Sequence, residues 1–343
     1  MCQLGAEAAL KREVAREHPE LRSAFARPGL VTWKSGAPIA ADFALRAVFA
    51  RAHAAALGSV KSVDEVLALA AAVAHGRRMR LHVFSRDAHK VGEEPRDHDA
   101  LVAGEEAAMR AALFAADRAR FLEGELAAPG DPVLDVILAR GEPHFVGHHV
   151  HARGRSPHAG GRWPVTVPPE SPSRAFRKLE EAIAWSGATP SRGQVAVEIG
   201  SAPGGASHAL LLRGLTVTGI DPGEMAEVVL ASPHFRHVKM PLAEVTPELL
   251  PKRVDWLLMD VHLAPQVALH AVRGLVSAFR HSLRGVFFTL KLNDWSMADK
   301  IPSFLSRMTE MGLVDVRATQ LPGNRQEIFA SGAGARSRAA YKK

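Results

Sequence analysis

At 343 residues and 47% apolar composition, the chain is long enough for two domains and a sizeable core. No stretch approaches about 18 consecutive apolar residues, which excludes a membrane-spanning helix, and with Cys2 as the only cysteine an internal disulfide and a cysteine-based zinc site are excluded as well. The net charge of +7 favours polyanionic partners, and the opening Met1-Cys-Gln-Leu-Gly5 lacks the basic and apolar regions of a secretory signal, so the expected compartment is the cytoplasm.

Taken in chain order, residues 5–17 predict a helix with Ala6, Leu10 and Val14 on one face. Leu30-Val-Thr-Trp33 predicts a strand. Val63 to Ala74 predicts a second helix, with Asp64 and Glu65 placed to favour its dipole. Arg80 to Phe84 alternates like a half-buried strand, and Asp99 to Phe121 reads as a long Ala-rich helix. Val133–Leu138 and His144–Val150 flank Arg140-Gly-Glu-Pro143 and predict a hairpin. Helices mixed with paired strands make residues 1–150 an expected α+β unit. Residues 151–172 are rich in Gly, Pro and Arg and predict a linker or ordered loop.

Basic residues concentrate there. Arg140, Arg153, Arg155, Arg162, Arg174, Arg177 and Lys178 face only Glu142 and Glu170, which suits either phosphate contacts or a solvated linker. His144, His148, His149, His151 and His158 share the stretch. His149 and His151 fall on one strand face, but no Asp, Glu or Cys stands at ligand spacing, so no metal site is expected. Trp163 is a candidate for stacking on a base, set against the plainer reading of a packed loop tryptophan.

From residue 173 the pattern alternates between helix and strand, with candidate strands at 195–200, 215–220, 237–240, 254–260, 285–291, 314–319 and 325–330. This alternation predicts an α/β domain over 173–331. Its doubly wound sheet has about seven strands, and the last two pair antiparallel for want of a long helix between them. Residues 332–343 are small and basic and predict a frayed tail.

The strand Val195-Ala-Val-Glu-Ile199 runs into Gly200-Ser-Ala-Pro-Gly-Gly205, and a helical pattern follows at once. A strand, a tight Gly loop and a helix N-terminus together build a nucleotide-type pocket. The loop is not G-x-G-x-x-G, and an acidic Glu198 opposes a pyrophosphate. A carboxylate suits a ligand with a cationic end and ribose hydroxyls, as in S-adenosylmethionine. Asp221 closes the next strand, where an acid reaches ribose hydroxyls. The cofactor set is therefore Glu198, Gly200, Ser201, Pro203, Gly204, Gly205, Asp221 and Asp260.

Asp260 and Lys291 close apolar strands, and Glu327 lies in Gln326-Glu-Ile-Phe329. Parallel strands deliver their C-terminal residues to one sheet edge, and a lysine there calls for a carboxylate. In order and context, Lys178, Asp260, Lys291 and Glu327 resemble the Lys-Asp-Lys-Glu tetrad of the FtsJ-like RNA 2′-O-ribose methyltransferases. Ser173-Arg-Ala-Phe-Arg-Lys-Leu-Glu-Glu181 resembles their opening helix, and Ala202-Pro-Gly-Gly205 their cofactor loop. Within that family the resemblance is greatest to the RlmM type, which methylates a cytidine ribose in bacterial 23S ribosomal RNA. Asn293 in its Leu-Lys-Leu-Asn context, Gly5-Ala-Glu-Ala-Ala-Leu-Lys11, and Phe145-Val-Gly-His-His-Val150 at the end of a THUMP-like RNA-binding front region carry that resemblance.

The resemblance implies a Rossmann-like class I methyltransferase domain with S-adenosylmethionine as cofactor. It implies ribosomal RNA, free or in an assembling large subunit, as partner, and no membrane. Lys291 is the implied general base, with Asp260 and Lys178 as its tuners and Glu327 as a hydrogen-bonding support. For Lys291 to accept a proton at neutral pH its pKa must fall, which burial and a second cation, Lys178, would provide. The chain departs from the family in three places: only four residues precede the Gly5 region where the family has a strand, Ala206 stands where a bulky aromatic is common, and Met240–Ala243 lacks the Asp that usually holds the adenine amino group. Two other readings keep the fold: a methyltransferase for a small molecule or protein, opposed by the basic segment and Lys178, and a non-catalytic RNA-binding protein, opposed by the intact tetrad.

Overall fold

The computed structural model describes residues 1–86, 89 and 98–337. They divide into two compact units that meet in sequence at Trp163 and Pro164.

The front unit opens with α1 (Glu7–Glu17), followed by an antiparallel hairpin of β1 (Leu21–Arg27) and β2 (Leu30–Ser35). The expected face of α1 is buried, with Ala6, Leu10 and Val14 at 1% exposure or less. β3 (Ala55–Val60), α2 (Val63–Ala74), β4 (Arg80–Ser85) and α3 (His98–Ala116) follow, then β5 (Pro132–Leu138) and β6 (His144–Val150). The four strands order as β3-β6-β5-β4; β5 and β6 form the expected antiparallel hairpin, and β4 runs parallel to β5. Val66 and Ala70 of α2 and Leu113 of α3 join Leu81, Leu134 and Val136 of the sheet in one apolar cluster.

The α+β expectation holds, with three corrections. Strands β1 and β3 escape the sequence reading because their faces are mostly exposed, with only Leu21 and Val60 buried at their ends. The long helix stops at Ala116 instead of continuing to Phe121. Asp117 turns the chain there by accepting the Arg120 N–H at 3.2 Å, which delivers Phe121 fully buried beside Met79. Residues 151–163, expected as a linker or an ordered loop, are bonded into the front unit. Arg155 donates to the His53 carbonyl at 2.8 Å, Arg162 pairs with Glu106 at 3.0 Å, and Arg51 donates to the Gly160 carbonyl at 2.9 Å. Part of the basic stretch is thus internal bracing. Trp163 packs edge-on to His158.

The rear unit carries α4 (Ala175–Ser186), β7 (Val195–Ile199), α5 (Gly205–Leu212), β8 (Thr216–Ile220), the short α6 (Glu227–Leu230) and β9 (Phe235–Val238). β10 (Trp256–Asp260), α7 (Pro265–Ala278), β11 (Gly285–Lys291), α8 (Ile301–Glu310), β12 (Val314–Thr319) and β13 (Glu327–Ala333) complete it. The seven strands order as β12-β13-β11-β10-β7-β8-β9. β13 is antiparallel to both of its neighbours, and the β9-β8-β7-β10-β11 run is parallel throughout. This is the expected Rossmann-like sheet with its last strand reversed. Its core gathers Phe176, Leu179, Leu210, Trp256, Phe287 and Phe329. Val165 and Val167, placed in the linker by sequence, pack against that core, so this unit begins before residue 173. The expected frayed tail is ordered at its start: Gly332 and Ala333 extend β13, and Arg336 reaches Asp255 at 2.9 Å. Residues 338–343 lie outside the described residues. Among the described residues no helix is long and apolar enough to cross a membrane.

Candidate active site

The parallel strands deliver the site to one edge of the rear sheet. Asp260 ends β10 and Lys291 ends β11, its neighbour. Because β13 runs the other way, its first residue, Glu327, pairs directly with Lys291. Lys178 comes from the first turns of α4, whose Phe176 and Leu179 are buried in the sheet's core. One strand reversal and one helix register therefore bring together four charges spread over 150 residues of sequence.

The four residues close into a ring. Lys178 Nζ pairs with Asp260 Oδ2 and, at 2.8 Å, with Glu327 Oε1. Lys291 Nζ pairs with Asp260 Oδ1 at 2.7 Å and with Glu327 Oε2. Each ammonium touches both carboxylates and each carboxylate both ammoniums, so the ring is neutral as a whole. Glu327 is 4% exposed. Burial alone would raise its pKa, but Lys178 and Lys291 bring it down to about 2.

For Lys291 the structure corrects the sequence expectation. Burial pushes its pKa down, but Asp260 and Glu327, each in direct contact, outweigh burial and raise it above the ordinary lysine value. The second cation does not reverse this, because Lys178 is itself neutralised by the same two carboxylates.

The Gly loop lies beside the ring. Gly200 has φ +79°, and a Cβ there would meet the Asp260 carbonyl oxygen at 2.1 Å. Gly204, φ +114°, caps α5 against Met225 and Val229, where a Cβ would approach Val229 Cγ2 to 2.7 Å. Only glycine fits either position. Gly205 closes on Ser173 so tightly that a Cβ would come within 2.3 Å of its Oγ. The Pro203 carbonyl accepts the Ala226 N–H at 2.9 Å, and Ser201, 2% exposed, turns its hydroxyl to the Met225 sulfur. These contacts tie the loop to the segment after β8.

Besides Asp260, the two other acids of the sequence-derived cofactor set, Glu198 and Asp221, are beside the loop. Asp221 accepts the Ala202 N–H at 3.1 Å through Oδ2 and the Gly223 N–H at 2.7 Å through Oδ1. It holds the loop and is only partly buried, so it keeps lone pairs for a hydroxyl-bearing ligand. Glu198 is 2% exposed and accepts the Ser207 hydroxyl at 2.5 Å. Burial is the main reason its pKa rises to about 8; Ser207 pulls down, and the Asp260 and Asp221 charges push up. A small cavity beside the ring is lined by Lys178, Asp260 and Thr289 together with Glu198 and Ala206, which flank the loop.

A ligand with a cationic end and ribose hydroxyls fits this donor set. Among the described residues no cation pairs with the buried Glu198, and Asp221 offers acceptors at the rim. Sequence reasoning missed three residues here. Thr289 lines the cavity, Asn324 donates to Glu327, and the buried Glu181 accepts the Gly323 N–H. Glu181 carried a signal, since it lies one helical turn from Lys178; Asn324 in its Pro-Gly-Asn turn reads as an ordinary loop residue. In the front unit His149 bonds Asp135 at 2.5 Å, and among the described residues no cluster has metal-binding geometry.

Comparison with known proteins finds a family match within the rear unit. Residues 172–287 match the family model described as FtsJ-like methyltransferase. The ribosomal RNA large subunit methyltransferase M of Colwellia psychrerythraea is 35% identical over 145 residues, 40% of this chain and 38% of that protein. Its namesake in Alkalilimnicola ehrlichii is 33% identical over 191 residues, 51% of each chain. The one in Azoarcus sp. is 28% identical over 213 residues, 60% of this chain and 57% of that protein. The chain thus spans between 38% and 57% of the length of these relatives.

Proposed function

We propose that this chain, a member of the FtsJ-like methyltransferase family through its residues 172–287, transfers a methyl group from S-adenosylmethionine to a ribose 2′-hydroxyl of RNA. The observation that carries the proposal is the closed ring of Lys178, Asp260, Lys291 and Glu327 beside a glycine loop flanked by Glu198 and Asp221. The finer assignment, a cytidine ribose in 23S ribosomal RNA, is supported by the Lys178 helix, the Leu-Lys291-Leu-Asn context and the relatives' names. The THUMP-like reading of the front unit and the basic charge of the chain support RNA as partner, with the large ribosomal subunit or its free rRNA as the source.

Bound S-adenosylmethionine supplies a methyl group that is already electrophilic on its sulfonium, and a positive charge. Glu198 would serve its cationic end and Asp221 its ribose hydroxyls. Gly200, Ser201, Pro203, Gly204 and Gly205 would shape the wall, with Asp260 shared between cofactor and ring. An alcohol is a weak nucleophile, so the protein must align it and take its proton. Lys291 is the proposed base. In the resting ring it holds its own proton, which it must release to solvent before it can accept the proton of the ribose hydroxyl. A cationic neighbour promotes that release. Asp260 and Glu327 fix the direction of Nζ, and Lys178 competes for the same carboxylates and so limits their hold on the Lys291 proton.

The test is transfer of a labelled methyl group to ribosomal RNA fragments by the wild-type chain and by Lys291→Ala. The expected loss is at least about 100-fold in kcat, in the range of a lost general base. Full activity of the variant would remove Lys291 from the mechanism.

A further inference from the structure

Glu327 is also held from a side that carries no charge into the ring. Its Oε1, already paired with Lys178, accepts the Asn324 side-chain N–H at 3.2 Å. The orientation of that amide is set, because its Oδ1 accepts the Leu321 N–H at 2.8 Å, so Nδ2 faces Glu327. Asn324 closes its own turn by donating its backbone N–H to the Leu321 carbonyl at 3.0 Å. Helix α4 clamps this turn: Glu181 Oε2 accepts the Gly323 N–H at 2.7 Å.

Asn324 is 1% exposed and Glu181 2% exposed. Glu181 follows Lys178 by three residues, so one face of α4 presents both. There is no slack at the contact, since a Cβ on Gly323 would meet Glu181 Oε2 at 2.9 Å and Lys178 Cγ at 3.4 Å. The register of a single helix therefore sets Lys178 directly and Glu327 by way of the 321–324 turn.

We infer that Asn324 and Glu181 are positioning residues, which hold Glu327 in the one orientation that lets it share both lysines with Asp260. The inference rests on the proposed methyl transfer for its kinetic consequence. The neutral amide matters. It donates to an ionised Glu327 without changing the ring's balance of two ammoniums and two carboxylates. The charged groups facing Glu327 are Lys178 from α4 and Lys291 from β11, with Asp260 of β10 across the ring. A carboxylate at 324 would be a third negative charge in contact with the second.

The test uses the full chain as wild type, Asn324→Asp, Asn324→Ala, Glu181→Leu and Glu181→Gln, each checked for folding by circular dichroism. The Glu327 carboxylate is followed by carbon-detected NMR titration and identified by its absence in Glu327→Gln. In Asn324→Asp its midpoint should rise by about one pH unit, and the alkaline-rising limb of methyl transfer should move up by a similar amount. Asn324→Ala should lower kcat about tenfold with cofactor KM within about twofold. Glu181→Leu should do the same, and Glu181→Gln, which keeps an acceptor for Gly323, should recover most of that loss. A folded Asn324→Asp variant with an unmoved Glu327 midpoint would overturn the inference. A wild-type chain inert on RNA would overturn the functional reading instead, and the carboxylate titration would still decide the role of Asn324.

Discussion

Glu198 and Glu327 are both buried glutamates, yet their environments drive them in opposite directions. Glu198 has a hydroxyl donor and two negative neighbours, and burial pushes its pKa up to about 8, a value that a cationic ligand end beside it would lower. Its folded value lies above its ordinary 4.5, so its contribution to stability is full below about 4.5 and is lost as pH rises through about 8. Wild type should therefore lose stability relative to Glu198→Gln over that window, by several kcal/mol at about 1.4 kcal/mol per pH unit. Chemical denaturation at the two ends of the window measures it. Glu327 is the reverse case. Its value of about 2 means that its contribution is full above about 4.5 and is lost as pH falls through about 2. At pH 7 Glu327→Gln should cost about 3 kcal/mol, because two partly buried ammoniums then share only Asp260. A denaturation midpoint equal to wild type would contradict the ring. Asp260, Lys291 and Glu327 were legible from sequence because a charge at the end of an apolar strand has few explanations. The raised pKa of Lys291 was not. It depends on which partners touch Nζ, and those come from β10 and β13, elements far apart in sequence.

Elements were legible where burial imposed a period. The two runs of β5 and β6 flanking Arg140-Gly-Glu-Pro143, the helical spacing in α2, and the continuous apolar runs of β10 and β11 all place their elements within a residue or two. Strands β1 and β3 were hidden because they bury too little to show alternation. The end of α3 was hidden because alanines continue a helical pattern that Asp117 interrupts through a hydrogen bond, not through composition. The glycine loop sits between these cases. Its sequence announced a tight turn, and the structure assigns each glycine its reason. Gly200→Ala must push Cβ into the Asp260 backbone at 2.1 Å, and Gly204→Ala must push it into Val229 at a φ of +114°. Each should destabilise by at least about 2 kcal/mol, the cost of a left-handed non-glycine residue plus a clash. Gly200→Ala should be worse, because a backbone carbonyl yields less than a valine methyl. Thermal melting of both variants ranks them, and a smaller shift for Gly200→Ala would contradict that placement.

At the scale of the whole molecule, the front unit ends at Trp163 and the rear unit starts at Pro164, inside the 151–172 segment expected as a linker from its Gly and Pro content. Composition misled there because arginines in a Gly-rich segment read as solvated, whereas Arg155 and Arg162 are spent on carbonyls and Glu106. Removing residues 1–163 should keep Val165 and Val167 with their core, so cofactor affinity should stay within about threefold. RNA affinity should fall at least about tenfold, with a shallower dependence on salt between about 50 and 200 mM as phosphate contacts are lost. RNA binding equal to that of the full chain would contradict an RNA-binding front unit. The central claim concerns the acceptor atom, and the measurement that tests it most directly is alkaline digestion of RNA methylated with labelled S-adenosylmethionine. A 2′-O-methyl group protects its own linkage, so label should appear in an alkali-resistant dinucleotide with the wild-type chain and vanish with Lys291→Ala. Label recovered in mononucleotides would place the methyl group on a base and contradict the account.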